Sequence, residues 1–133
     1  MRFELIDRVL ERTSDGLVAV KCVTMAEEYL ADHFPGFPVL PGVIMLEVLA
    51  QAGRAFLAAD PRGDGKSEPG PFVLSEARNV RYSSMIRPGQ SLRVQVTLRK
   101  HDQDEWEFDG VGTVDDRTAV QGRIRLAPLD AYD

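Results

Sequence analysis

Residues 33–51 read HFPGFPVLPGVIMLEVLAQ, and this stretch decides the architecture. Pro35, Gly36, Pro38, Pro41 and Gly42 fall within eight residues. Prolines fix φ and glycines let backbones approach closely, so the segment reads as a stiff loop. Pro41 stands where a helix tolerates proline in its first turn, and Pro61 ends the helical run. The spacing predicts a helix over 42–59. It is apolar on nearly every side: Val43, Ile44, Met45, Leu46, Val48, Leu49, Phe56 and Leu57 cannot all face one sheet. A helix of that kind is buried. An antiparallel sheet curled around it would cover part of it, and a second subunit the rest.

Outward from the helix the pattern changes to alternation. Residues near 3–10 and 16–24 read as strands joined by the turn Ser14-Asp15-Gly16, and 26–30 as a short helical turn. Asp60 to Pro71 is rich in glycine, proline and charge, so it reads as an exposed loop inside one domain spanning 1–133. Four alternating segments come after it, at 72–82, 91–101, 105–115 and 118–127, punctuated by Pro88-Gly89 and Asp115-Asp116. One long helix with about six strands is an α+β arrangement.

The chain has 133 residues, a length that suits one core, with 44% hydrophobic and 28% charged residues. Its net charge of −5 argues against a nucleic-acid partner bound through general basicity. The opening MRFELID is charged too early for a secretory signal. No run reaches the length of a membrane span, since Glu47, Gln51 and Arg54 interrupt the apolar helix. The expected location is the cytoplasm. The single cysteine, Cys22, reads as a small core or half-buried strand residue that makes no internal disulfide.

Two side chains in the opening stretch can move protons. His33 stands at the loop's entrance, and an imidazole is the natural general base near neutral pH. The other histidine, His101, lies in a polar turn and reads as solvated. Glu47 comes fourteen positions after His33, inside the apolar helix. A carboxylate there is costly unless it is paired or takes up a proton. Gln51 and Arg54 lie on its helical face, so either could simply satisfy it. The alternative is a carboxyl group in a pocket, able to donate a proton. The backbone N–H groups of Gly42 and Val43 open the helix at the positive end of its dipole, where a substrate carbonyl would be polarised. Base, acid and oxyanion donor together define proton abstraction beside a carbonyl with loss or gain of a β-hydroxyl. Two histidines and one cysteine, widely spaced, make no zinc site, and neither a phosphate-binding loop nor a Gly-x-Ser-x-Gly elbow occurs.

The run HFPGFPVLPGVIMLEVLAQ closely resembles the signature of the 3-hydroxyacyl-[acyl-carrier-protein] dehydratases of type II fatty acid synthesis. Phe3 to Val9, Asn79 to Tyr82 and Arg87 to Gln90 resemble further strands and a turn of that family. Met85 and Gln90 depart from its usual proline and aspartate. The resemblance implies a hot-dog fold, an antiparallel sheet wrapped around one long central helix. It implies that His33 removes the C2 proton, Glu47 assists departure of the C3 hydroxyl, Gly42 donates to the thioester carbonyl and Gln51 supports the acid. It further implies a homodimer with shared active sites, extendable to a trimer of dimers. The substrate would arrive on the phosphopantetheine of an acyl carrier protein, with no metal and no bound cofactor. Arg78, Arg81 and Arg87 are the candidates for docking that acidic carrier. Two other readings compete: a hot-dog thioesterase that activates water at the carbonyl, and a non-catalytic subunit that binds acyl carriers without turnover.

Overall fold

The computed structural model describes residues 5–23, 40–58, 72–102 and 104–128. The turn expected at 26–30, His33 and the loop at 60–71 lie outside the described residues. In chain order the elements are β1 (Arg8–Arg12), β2 (Gly16–Cys22), α1 (Gly42–Ala58), β3 (Phe72–Tyr82), β4 (Ser91–Asp102), β5 (Glu105–Val114) and β6 (Arg117–Pro128). The six strands form one antiparallel sheet in the order β1-β2-β4-β5-β6-β3.

Turn chemistry sets the connections. Thr13 Oγ1 accepts from the amides of Asp15 and Gly16, which turns β1 into β2. Gln90 N donates to Arg87 O across Pro88-Gly89, and Gly89 has φ +93°. Proline then glycine at the two central positions is the type II pattern. Asp115 and Asp116 both take positive φ, 48° and 64°, as a two-residue turn between twisted strands requires. The first strand runs later than the alternation at 3–10 suggests. Asp7 already pairs, its N–H with Val20 O and its Oδ2 with the Cys22 amide, and a bulge between Val9 and Glu11 shifts the register.

Strand alternation sends Leu92, Val94 and Val96 of β4, Phe108 of β5, and Val120, Ile124 and Leu126 of β6 to one face, all fully buried. Helix α1 packs on that face and touches β2, β3, β4, β5 and β6. Gly53 permits the close approach: a Cβ there would stand 2.9 Å from Leu126 and 3.5 Å from Phe108. Phe56 meets Phe108 edge to face at 5.8 Å. The helix C-terminus is tied to β1, where Arg12 Nη2 donates to Phe56 O at 3.0 Å and its guanidinium lies 4.7 Å over the Phe56 ring.

Burial along α1 is one-sided. Met45, Val48, Leu49, Ala50, Ala52, Gly53, Phe56 and Leu57 are buried. Val43, Glu47, Gln51, Arg54 and Ala58 form a stripe that the sheet leaves half-buried or exposed. The sheet thus covers the helix on one side, and the polar residues of the sequence lie on the other. Among the described residues no helix is long and apolar enough to cross a membrane.

Candidate active site

The site is built around the first three turns of α1. Pro41 O accepts from the amides of Ile44 and Met45, so proline caps the helix, and Leu40 N donates to Ile86 O to fix the entry. The amides of Gly42 and Val43 therefore stand in the first turn, without intrahelical acceptors. Val43 is 69% exposed, and with Tyr82 and Met85 it is among the exposed large apolar side chains. A Cβ on Gly42 would meet the Tyr82 ring at 3.0 Å. Sequence reasoning leaves Tyr82 out, because forty positions separate it from Gly42 and only the fold joins them.

Although Tyr82 is 49% exposed, its partial burial against the protein pushes the hydroxyl above its ordinary range. A folded-state value raised above the unfolded one gives stability that is fully present below about pH 10. That stability is lost as the pH rises through the folded value. In an alkaline titration followed by phenolate absorbance, the component missing from Tyr82→Phe should be the one that ionises above free tyrosine. A missing component at or below the free-tyrosine position would contradict the burial.

Glu47 lies one turn below the helix start, and its partner is Arg54. Arg54 Nη1 donates to Glu47 Oε1 at 2.7 Å, with both side chains about one-third exposed, 32% and 31%. Arg54 Nε donates to Phe72 O at 2.9 Å, at the first residue of β3. Gln51 Oε1 accepts from Leu5 N at 2.8 Å and so ties the chain's N-terminal segment to the helix. Of the two candidates for satisfying the carboxylate, the structure pairs it with Arg54.

The three arginines expected to dock a carrier have different surroundings. Arg78 Nε donates to Glu76 Oε1 at 2.6 Å. That hydrogen bond holds the Glu76 carboxyl below its ordinary range and raises Arg78 above its own. Between Arg78 and Arg81 strand β3 carries an extra residue, for Arg78 pairs with Arg123 and Arg81 with Gln121. Asn79 takes φ 55° in this bulge. The bulge puts both arginines on the outer face despite their odd separation. Arg81 then lines a groove of about 730 Å³ with Asn79, Gln95, Thr97, Asp109 and Arg123. No residue of α1 lines that groove. Arg87 is exposed, and its amide donates to Gln90 Oε1.

Two expectations change. Cys22 is exposed, because it is the last residue of β2 and falls on the outer face; Ser91 Oγ lies 3.6 Å from its sulfur. His101 is exposed, but it belongs to β4 and stacks on Trp106, with ring centroids 3.5 Å apart and 11° between planes. Among the described residues no three His, Cys, Asp or Glu side chains gather so as to hold a metal ion.

The sequence matches the FabA-like domain over residues 1–123. The chain belongs to the FabA-like family. Its curated relatives include the 3-hydroxyacyl-[acyl-carrier-protein] dehydratase FabZ of Oleidesulfovibrio alaskensis, 34% identical over 134 residues. That alignment covers 98% of this chain and 84% of the relative. The FabZ of Legionella pneumophila is 36% identical over 126 residues, covering 94% of this chain and 83% of the relative. Among solved structures, the dehydratase heterocomplex ApeI:P of Xenorhabdus doucetiae superposes with a TM-score of 0.80 at 20% identity. It covers 94% of this FabA-like chain and 82% of that one. Mouse thioesterase superfamily member 2 superposes at 0.66 with 15% identity, covering 90% and 80%. At such identities the likeness speaks to the fold alone, and that fold is the hot-dog.

Proposed function

We propose that residues 1–133 form one dehydratase domain that converts a 3-hydroxyacyl-[acyl-carrier-protein] to the trans-2-enoyl thioester in fatty acid or related lipid synthesis. The observation that carries this reading is the near-complete alignment with FabZ dehydratases at 34–36% identity. The presentation of Glu47 on the uncovered stripe of α1, beside the helix's free-ended amides, supports it. His33 removes the proton from C2. The electron pair forms an enolate whose oxygen is held by the Gly42 and Val43 amides. The pair then becomes the C2=C3 bond as the C3–O bond breaks, and Glu47 supplies the proton that lets hydroxide leave as water. The proton gained by His33 and the proton lost by Glu47 balance, so proton exchange resets the site. Nothing is oxidised or reduced, and the step needs no cofactor.

The catalyst is a homodimer in the cytoplasm, in which His33 of one subunit works with Glu47 of the other. The second copy also covers the stripe that the sheet leaves open. Gln51 supports the acid's helix by anchoring Leu5. Carrier docking falls to Arg78, Arg81 and Arg87. Arg78 is already engaged by Glu76, so Arg81 contributes more. Arg81→Glu should raise KM for carrier-bound substrate about 5- to 10-fold through lost electrostatic complementarity. KM for the matching pantetheine thioester should stay unchanged. Equal effects on both substrates would remove Arg81 from the docking surface.

The deciding experiment incubates the purified chain with 3-hydroxyacyl-carrier protein of several lengths and monitors product by mass and enoyl absorbance. Loss of one water supports the dehydratase. Release of free acid would point to a thioesterase. Binding without turnover would point to a non-catalytic subunit.

A further inference from the structure

We infer that Arg54 is a positioning residue that divides the two oxygens of Glu47 between two tasks, an assignment that rests on the dehydratase reading. Seven residues separate the two side chains, about 10 Å of helix rise, and both lie on the stripe the sheet leaves open. Arg54 reaches back along this stripe and donates from Nη1 to Glu47 Oε1 at 2.7 Å. Its Nε is held by Phe72 O at 2.9 Å. One planar guanidinium thus bridges the helix carboxyl and the first backbone carbonyl of β3. Donors fixed in a rigid fork hold both contacts with little freedom to swing, which a lysine ammonium cannot reproduce.

The consequence is atomic. Oε1 is engaged by Arg54, while Oε2 has no partner among the described residues. Oε2 is therefore the oxygen that carries the proton to the leaving hydroxyl. The carboxyl plane, and with it the direction of that O–H, is set by Oε1's contact with an arginine that β3 itself holds. Glu47 would otherwise rotate freely about its terminal bond, which is broad and roughly two-fold. Arg54 touches neither substrate nor reacting atoms; it acts through the acid.

Arg54→Ala should lower kcat roughly 10- to 100-fold, the size of a misplaced reacting group. KM should stay within about 2-fold, because ground-state binding is not involved. Arg54→Lys should recover part of kcat, since it keeps a charge for Oε1 but cannot also hold Phe72 O. A brace that served only stability would lower the melting point and leave kcat alone. A double-mutant cycle of Arg54→Ala with Glu47→Ala, each of which removes the contact, read from denaturant unfolding, tests the pair without any turnover. The coupling should be about 1.5- to 5-fold in the unfolding equilibrium constant for a partly exposed pair. An additive cycle, or wild-type kcat in Arg54→Ala, overturns the positioning role. A coupled pair in a protein that dehydrates no substrate overturns the dehydratase reading, and with it Arg54's part in catalysis.

Discussion

Phe108→Ala should cost about 3–5 kcal/mol of stability, the range for emptying a large aromatic from a core. Phe108 is fully buried, meets Phe56 of α1 edge to face, and lies beside the surface of Gly53. It is therefore the floor on which the helix rests, and its loss opens a cavity between helix and sheet. Neighbours cannot close that gap easily, because Arg12 and Arg54 fasten the lower helix to β1 and β3 through Phe56 O and Phe72 O. For a chain of this length the melting point should fall by roughly 10 °C or more. Calorimetry or denaturant unfolding of Phe108→Ala beside Thr113→Ala, on the outer face of the same strand, measures it. The Thr113 change should stay within about 0.5 kcal/mol. Equal small losses in both would mean that α1 is not seated on β5. The effect reaches function as well, because the helix that Phe108 supports carries Glu47.

Local chemistry made much of this fold legible in the sequence. Alternation located β3 at 72–82, and Pro88-Gly89 and Asp115-Asp116 announced their turns, because each signal depends on residues next to one another. The features that failed to show depend on register or distance. Arg78 and Arg81 share the outer face only because of a one-residue bulge at Asn79, which no local sequence signal marks. Helical spacing put both Gln51 and Arg54 on the face of Glu47 but could not choose between them. The choice rests on Leu5 and Phe72, which the fold brings to the two side chains from far along the chain. The all-round apolar helix pointed to a sheet that covers only part of it, and within a single chain the sheet does cover one side, but helical periodicity could not say which stripe stays open. Tyr82 beside Gly42 and His101 on Trp106 are cross-element contacts with no local signature. His33, the proposed base, lies outside the described residues.

Glu47→Gln should reduce dehydration by about 10²-fold or more while the fold survives. That loss corresponds to about 2.7 kcal/mol of transition-state stabilisation. The substitution is a narrow one. A glutamine carbonyl oxygen can still accept from Arg54 Nη1, so the contact at 2.7 Å keeps a partner. Exchanging the carboxyl for an amide in a pair one-third exposed to water should cost no more than about 1 kcal/mol of stability. The group that disappears is a proton that can be handed to the leaving hydroxyl. His33→Ala should be equally damaging to turnover but for a different reason, since it removes the base. The two losses separate in deuterated water. With His33 intact, Glu47→Gln should still exchange the C2 hydrogen of the 3-hydroxyacyl thioester, because the enolate forms and returns without losing hydroxide. His33→Ala should lose exchange and dehydration together. Near-normal turnover in Glu47→Gln would falsify the acid assignment. Exchange that persists in His33→Ala would move the base to another group. Exchange lost in both variants would mean that proton removal and C–O cleavage occur in one concerted step, with Glu47 needed from its start.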